Sequence, residues 1–219
     1  MQANNPERYN LKSMLEKERR MTPELYFIYD SHCPWSYAAN VLVNQLAEDC
    51  PEIEIHYWHC AYYDGNSSVG KSVVDEVVKK SNVKFGKEYK RFVDSPKNAI
   101  MTANLMTWLE NKQPDKVLPV LNAIQKAHFI DGNPLGCKHD FMAIIDELKL
   151  SPPNKVFNEV LTRESEYVLS DIAELQKFMG TNAFPALLLT HEDKALLLDH
   201  SIALNNPQAF IRSVKKELA

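Results

Sequence analysis

Apolar residues run almost unbroken through ELYFIYD (24–30), the pattern of a strand covered on both faces. Beyond it, Ala39, Leu42, Val43 and Leu46 recur at i, i+3, i+4 and i+7, one buried stripe of a helix. That helix opens with Pro34 in its first turn, where the missing N–H costs nothing, and ends at Cys50-Pro51. EIEIHYWHC (52–60) alternates strictly, Ile53, Ile55 and Tyr57 against Glu52, Glu54 and His56, and predicts a second strand.

From about 64 to 169 the pattern becomes helical. KSVVDEVVKK follows a turn. SPKNAIMTANLMTWLENK is read as a helix with Ser95 as cap and Pro96 at its first position. DKVLPVLNAIQKAHFI carries Pro119 in its first turn or at a kink, and KHDFMAIIDELKL and PNKVFNEVLTRESEYV complete the run. The Met and Trp residues of 100–109 lie at helical spacing and predict the core of this region. Ser170 is then read as the cap of DIAELQKFM, which stops at Gly180, a residue suited to a left-handed helix end. FPALLLTHEDKALLLD predicts two short strands joined by a polar turn. NPQAFIRSVKKEL is the last helix, with Asn206 as cap and Phe210, Ile211, Val214 and Leu218 facing inward.

The order β-α-β, then helices, then α-β-β-α predicts an α/β fold: a thioredoxin-like sheet with a large all-helical insertion. The sheet domain is discontinuous, 23–63 and 170–219, and the insertion covers 64–169. Residues 1–22 are polar and charge-dense and read as an N-terminal appendage with a short helix; Met21 is an alternative start. Closing the sheet over an insert of this size adds little loop entropy when the insert packs on itself.

Composition narrows the function. A formal net charge of −4 and a pI near 6.0 leave no footprint for nucleic acid or an anionic membrane. No signal-peptide pattern and no apolar run of about 18 residues is visible, so a cytoplasmic protein is expected. In that compartment the four cysteines, Cys33, Cys50, Cys60 and Cys137, start as free thiols. Cys50 reads as helix-end packing, Cys137 as loop surface, and the lysines between 79 and 90 as a solvated face. His56, His59 and Cys60 do not make a metal set, because 56 and 59 face opposite sides of a strand; no metal is expected.

Cys33 is different. It stands on the turn between the first strand and its helix, where unpaired N–H groups and the helix dipole favour the thiolate. Such a position lowers a thiol from about 8.5 to roughly 3.5–7.5. Pro34 fixes the turn, Trp35 is the aromatic beside the sulfur, and His32 would add positive charge if it faced the thiol. Three residues on, where a dithiol enzyme has its second cysteine, stands Ser36.

YDSHCPWSY, IQKAHFIDG and GTNAFPALLL, in this order, resemble the DsbA-like thioredoxin superfamily over about residues 24–217. The branch they resemble is FrnE-like, related to 2-hydroxychromene-2-carboxylate isomerases and kappa-class glutathione transferases. The resemblance implies a cis-proline opposite Cys33, matched by Pro185, with Phe184 shaping a groove for an extended peptide or glutathione. The chain departs from both relatives: FrnE-like enzymes carry Cys-Pro-Trp-Cys and kappa-class transferases Ser-Pro-Tyr-Ser, whereas this chain has Cys33-Pro34-Trp35-Ser36. His200-Ser201 stands where kappa-class enzymes use a Ser-Asp pair.

A local dithiol cycle is therefore excluded, and the resemblance implies monothiol chemistry. Cys33 would be the nucleophile, Ser36 its hydrogen-bond partner, and Pro34, Trp35, His32, Phe184 and Pro185 the substrate platform. The partner would be a protein or small-molecule disulfide, with glutathione as co-substrate. Cys60, at the end of the second strand, is a candidate resolving thiol. Two other readings stay open: a kappa-like glutathione-dependent transferase or isomerase of a small aromatic molecule, and a redox-inactive binding module. Oligomeric state is left open.

Overall fold

A computed structural model of the chain describes residues 22–201 and 203–218. The expected N-terminal appendage lies outside them except for Thr22. Strand β1 (Glu24–Tyr29) occupies the sheet interior, parallel to β2 (Glu54–His59) on one side and antiparallel to β3 (Ala186–His191) on the other; β4 (Lys194–Leu197) pairs antiparallel with β3 at the edge. Being covered on both faces, β1 is apolar along its length, with Leu25, Phe27, Ile28 and Tyr29 fully buried. The parallel register sets Tyr29 opposite His59, so the ends of β1 and β2 open onto the same edge of the sheet.

Eight α-helices surround the sheet among the described residues: α1 (Pro34–Asp49), α2 (Lys71–Lys80), α3 (Lys87–Arg91), α4 (Ile100–Lys112), α5 (Val117–Phe129), α6 (Lys138–Glu147), α7 (Arg163–Met179) and α8 (Pro207–Glu217). The stripe Ala39, Leu42, Val43, Leu46 is buried, as its spacing predicts. Pro119 falls in the first turn of α5, where its missing N–H leaves the helix intact. Met101, Leu105, Met106 and Leu109 of α4 are buried in the main core, and Trp108 packs against it. The final helix begins as read: Asn206 accepts the Ala209 N–H at 3.1 Å, and Pro207 takes the first position.

Two helix starts differ from the sequence reading. Helix α4 begins at Ile100, because the preceding segment is drawn into tertiary bonds: Lys97 N–H donates to Ser67 O, and Gly65 N–H to Lys97 O. Ser95 does not cap it; its hydroxyl donates backward to Phe92 O. Helix α7 runs unbroken through Ser170, which is exposed mid-helix. Its cap is Thr162, whose hydroxyl accepts the Ser165 N–H. Asn104, buried on α4, holds this helix start with both ends of its amide, donating to Val160 O at 3.0 Å and accepting from Thr162 N–H at 2.8 Å. The other end of α7 is Gly180 at φ 69°, the left-handed position expected of it.

Candidate active site

The turn after β1 is braced from several directions. Asp30 is fully buried; its carboxylate accepts the His32 N–H at 2.7 Å and the Tyr63 N–H at 3.1 Å. Its own N–H donates to Ser36 Oγ at 3.2 Å. Ser31 lies against His59: its N–H is 3.0 Å and its hydroxyl 2.9 Å from Nε2. His32 Nε2 faces Pro134 O at 3.2 Å, and a carbonyl only accepts, so that nitrogen carries the proton and Nδ1 accepts from Ser31 Oγ at 3.0 Å. The turn is thus tied to β2, to the segment after it, and to the helical insert.

Cys33 is the N-cap residue of α1 and Pro34 its first helical position. The Ser36 and Trp35 N–H groups and the Ser36 hydroxyl favour the thiolate. Burial outweighs them. Cys33 is 6% exposed, and desolvation, with the nearby Asp30 charge, pushes its thiol up to about 11. The low value that the helix turn alone predicts is therefore not that of this closed arrangement.

The same dry surroundings act on the other titratable groups. Burial raises Asp30 to about 6, against the N–H groups that stabilise its carboxylate. It lowers His32 to about 4 and His59 to about 3. Both ring nitrogens of His59 face backbone N–H groups, Ser31 at Nε2 and Ala61 at Nδ1, so a second ring proton would point at a donor. His128, from the IQKAHFIDG stretch, packs edge-on against His32 at 4.3 Å, donates Nδ1–H to Asn133 O at 2.8 Å, and is also held well below its ordinary value by burial.

The predicted residues divide into two groups. Ser36, Pro34 and His32 are buried with Cys33. His32 is consequently not a groove residue, and a neutral ring turned to Pro134 adds no positive charge at the sulfur. Trp35 is half-buried against the insert, with Lys80 Nζ 5.7 Å over its ring. The Phe184–Pro185 bond is cis, and β1–β3 pairing of Ile28 with Ala186 brings it to the sheet edge that carries Cys33. Phe184 packs at a tilt against the exposed Tyr62, ring centroids 4.8 Å apart. Beside them opens a groove of about 460 Å³ lined by Cys60, Tyr62, Leu169, Ile172, Asn182 and Phe184.

Cys50 is buried at the C-terminus of α1, and Cys137 is exposed before α6. His56 and His59 do face opposite ways. Glu24, Glu54 and His56, however, bring ligating atoms within 4.8 Å of one another at the opposite end of the sheet from Cys33. The sequence reading missed Asp30, Ser31, His59, Tyr63 and His128. One signal was available for Asp30, a charge terminating an apolar strand three residues before the cysteine.

No protein-family model matches this chain, and no curated protein matches it by sequence. Solved structures do. The cytosolic disulfide reductase DsbM from Pseudomonas aeruginosa superposes with a TM-score of 0.77 at 18% identity, over 89% of this chain and 98% of that one. Its complex with GSH gives 0.74 at the same identity and coverage. A putative protein disulfide isomerase from Nitrosomonas europaea gives 0.68 at 14% identity, over 90% and 98%. The chain therefore has the DsbA-like thioredoxin fold with its helical insertion.

Proposed function

We propose that this chain is a cytoplasmic thiol–disulfide oxidoreductase or isomerase that works through Cys33 and mixed disulfides, with glutathione as co-substrate. The observation that carries the reading is the helix-capping cysteine, followed by Pro34 at the first helical position, on the sheet edge shared with cis-Pro185. Support comes from the DsbM fold match and from the GSH in that reductase's complex. Among the described residues no helix is long and apolar enough to cross a membrane.

In the first step the Cys33 thiolate attacks a disulfide R–S–S–R′; a Cys33–S–S–R bond forms and R′–S⁻ leaves. Glutathione thiolate then attacks the R sulfur, returning Cys33–S⁻ and releasing the R–glutathione disulfide. Ser36 Oγ–H and the two N–H groups hold the negative charge each time it returns to Cys33. With the thiol at about 11 in the closed site, on the order of one molecule in ten thousand is thiolate at pH 7. Substrate that opens water access to the sulfur relieves the burial that opposes these donors. Trp35 and Phe184 flank the approach.

One observation favours the alternatives, a transferase or isomerase that uses the thiol of bound glutathione or a redox-inactive binding module: Cys33 is only 6% exposed. Cys33→Ser separates them. Glutathione-dependent reduction of a glutathionylated peptide should fall to background in the variant. Full activity in Cys33→Ser, with the fold intact by circular dichroism, would overturn the proposed nucleophile.

A further inference from the structure

We propose that the chain's own N-terminal segment, residues 1–21, is the partner of an open apolar face of the sheet, seating Leu11, Met14 and Leu15 in a groove between the sheet and α7. The inference is independent of the chemistry at Cys33 and concerns the opposite face of the sheet.

Strand alternation defines that face. Leu25, Phe27 and Tyr29 belong to the main core with Cys33, so Glu24, Tyr26 and Ile28 point the other way. Register sets His56, Leu188 and Leu197 in line with Tyr26 across the other three strands. Tyr26 stacks on His56 and meets Trp58 edge-on, each at 4.8 Å. Among the described residues α7 covers this face only at the end nearest the active turn. There Ile28, Ile172 and Ala186 pack together, with Cys60 against them, so Cys60 lies across the sheet from Cys33 rather than beside it as a resolving thiol.

Toward the start of β1 the cover from α7 runs out. A groove of about 470 Å³ opens, lined by Tyr26, Trp58 and Leu188 from the sheet and by Leu175 and Phe178 from α7. Phe178 is 70% exposed, and Leu197, opposite Leu188, is 44% exposed. Large apolar side chains clustered in this way mark an interaction surface.

Position, pattern and charge point to the N-terminal segment as its occupant. Pro23 O accepts the Glu54 N–H at 2.9 Å and Glu24 pairs with Thr190, so the chain enters the sheet at the uncovered end of this face. It bends at Thr22, just before that entry. Leu15 precedes Pro23 by eight residues, a reach of up to about 27 Å, and Tyr26 lies only three residues, about 10 Å, beyond Pro23. A tether this short gives an effective concentration on the order of millimolar, which a separate partner would have to exceed. Leu11, Met14 and Leu15 recur at i, i+3 and i+4, the spacing of one apolar helical face. Asp171 and Glu174 rim the groove, and Glu24 and Glu54 stand together where the strands begin. The segment answers with Arg8, Lys12, Lys17, Arg19 and Arg20 against three glutamates.

The test uses the full chain with the photoreactive residue p-benzoylphenylalanine in place of Leu15, irradiated in dilute solution and mapped by peptide mass spectrometry. The crosslink should form within single chains, on the β1, β2 or α7 peptides that line the groove. Phe178→Asp, a change at an exposed position, should lower its yield about tenfold, the effect of losing one well-buried apolar contact. In the otherwise natural chain, Leu11→Asp combined with Leu15→Asp should increase binding of an apolar fluorescent dye, because the groove is uncovered. Crosslinks that join two chains assign the face to a second copy and overturn the inference. Crosslinks confined to other surfaces, no crosslink at all, or dye binding unchanged by the double substitution overturn it as well.

Discussion

The buried histidines under the active turn predict unusual sensitivity to mild acid. At pH 5 an unfolded chain protonates His32, His59 and His128, whose ordinary value is 6.5; the native protein, holding the first two at about 4 and about 3 and the third well below 6.5, protonates almost none. Asp30 acts oppositely. Raised from 3.8 to about 6, it is protonated in the native state and ionised in the unfolded chain at the same pH. The unfolded state therefore binds three protons here and the native state one, a difference of two. Stability then falls by about 2.7 kcal/mol per pH unit near pH 5, at about 1.4 kcal/mol per proton. Glu110, raised by burial, and His200, lowered by burial, change this with opposite signs. Integrated from pH 7, where few of these histidines are charged in either state, the loss by pH 5 is about 4 kcal/mol, a large part of the 5–15 kcal/mol typical of a domain. Urea unfolding at pH 7, 6 and 5, followed by tryptophan fluorescence, reads this as a falling midpoint at constant slope. His128→Gln should flatten the dependence by about one proton's worth. A midpoint that stays level or rises between pH 7 and 5 would refute the protonation scheme.

Three further predictions follow from individual contacts. Ser36→Ala removes a hydroxyl that favours the Cys33 thiolate, an influence of about 1.5–3 kcal/mol for a donor to a charged group. After allowance for the greater nucleophilicity of a more basic thiol, iodoacetamide labelling of Cys33 at pH 8 should slow roughly 4- to 15-fold relative to exposed Cys137; an unchanged ratio would remove Ser36 from the site. Ser36→Cys should create a local dithiol, seen as a disulfide across the 33–36 tetrapeptide on mild oxidation and as a single stoichiometric reduction of substrate disulfide without glutathione; failure to oxidise would show the turn is held wrongly for that bond. Gly86→Ala would put its Cβ 1.8 Å from Ile130 O, in a segment whose Gly86 N–H already bonds Phe129 O at 2.8 Å. Separating those backbones should lose about 3 kcal/mol, a drop in Tm of roughly 6–12 °C, and an unchanged melt would contradict the close approach.

Much of this fold is legible because its signals are local. The unbroken apolar run of β1, the stripe on α1, Gly180 and the Asn206-Pro207 start all depend on residues within one turn of each other. Ser95 and Ser170 misled for the converse reason. Ser95-Pro96 carries every local mark of a helix start, yet strand-like bonds from Lys97 to Ser67 and from Gly65 to Lys97 keep 95–99 out of the helix. Ser170 is a good cap by type, but α7 is already fixed eight residues earlier by Thr162 and by Asn104, 58 residues away in sequence. The active turn shows the same division. Cys33, Ser36 and Pro185 belong to recognisable short stretches, whereas the bracing of that turn depends on His59, 28 residues from Ser31, and on Pro134, 102 from His32. A sequence motif announces the cysteine; it says nothing of the dry polar layer that sets its proton affinity.

Helix α7 bears on how such a protein can be taken apart. It is one continuous rod of 17 residues, begun by a threonine that the insert's Asn104 holds and ended five residues before the cis-proline. A minimal sheet made by excising the helical region would lose the anchor at the start of that rod, and with it the piece that stands behind the groove wall at Leu169 and Ile172. Transplanting the insert onto another thioredoxin scaffold would meet the same obstacle from the other side. The two parts of this fold are thus not interchangeable modules, and grafts onto other proteins of this fold should carry α7 whole, together with α4.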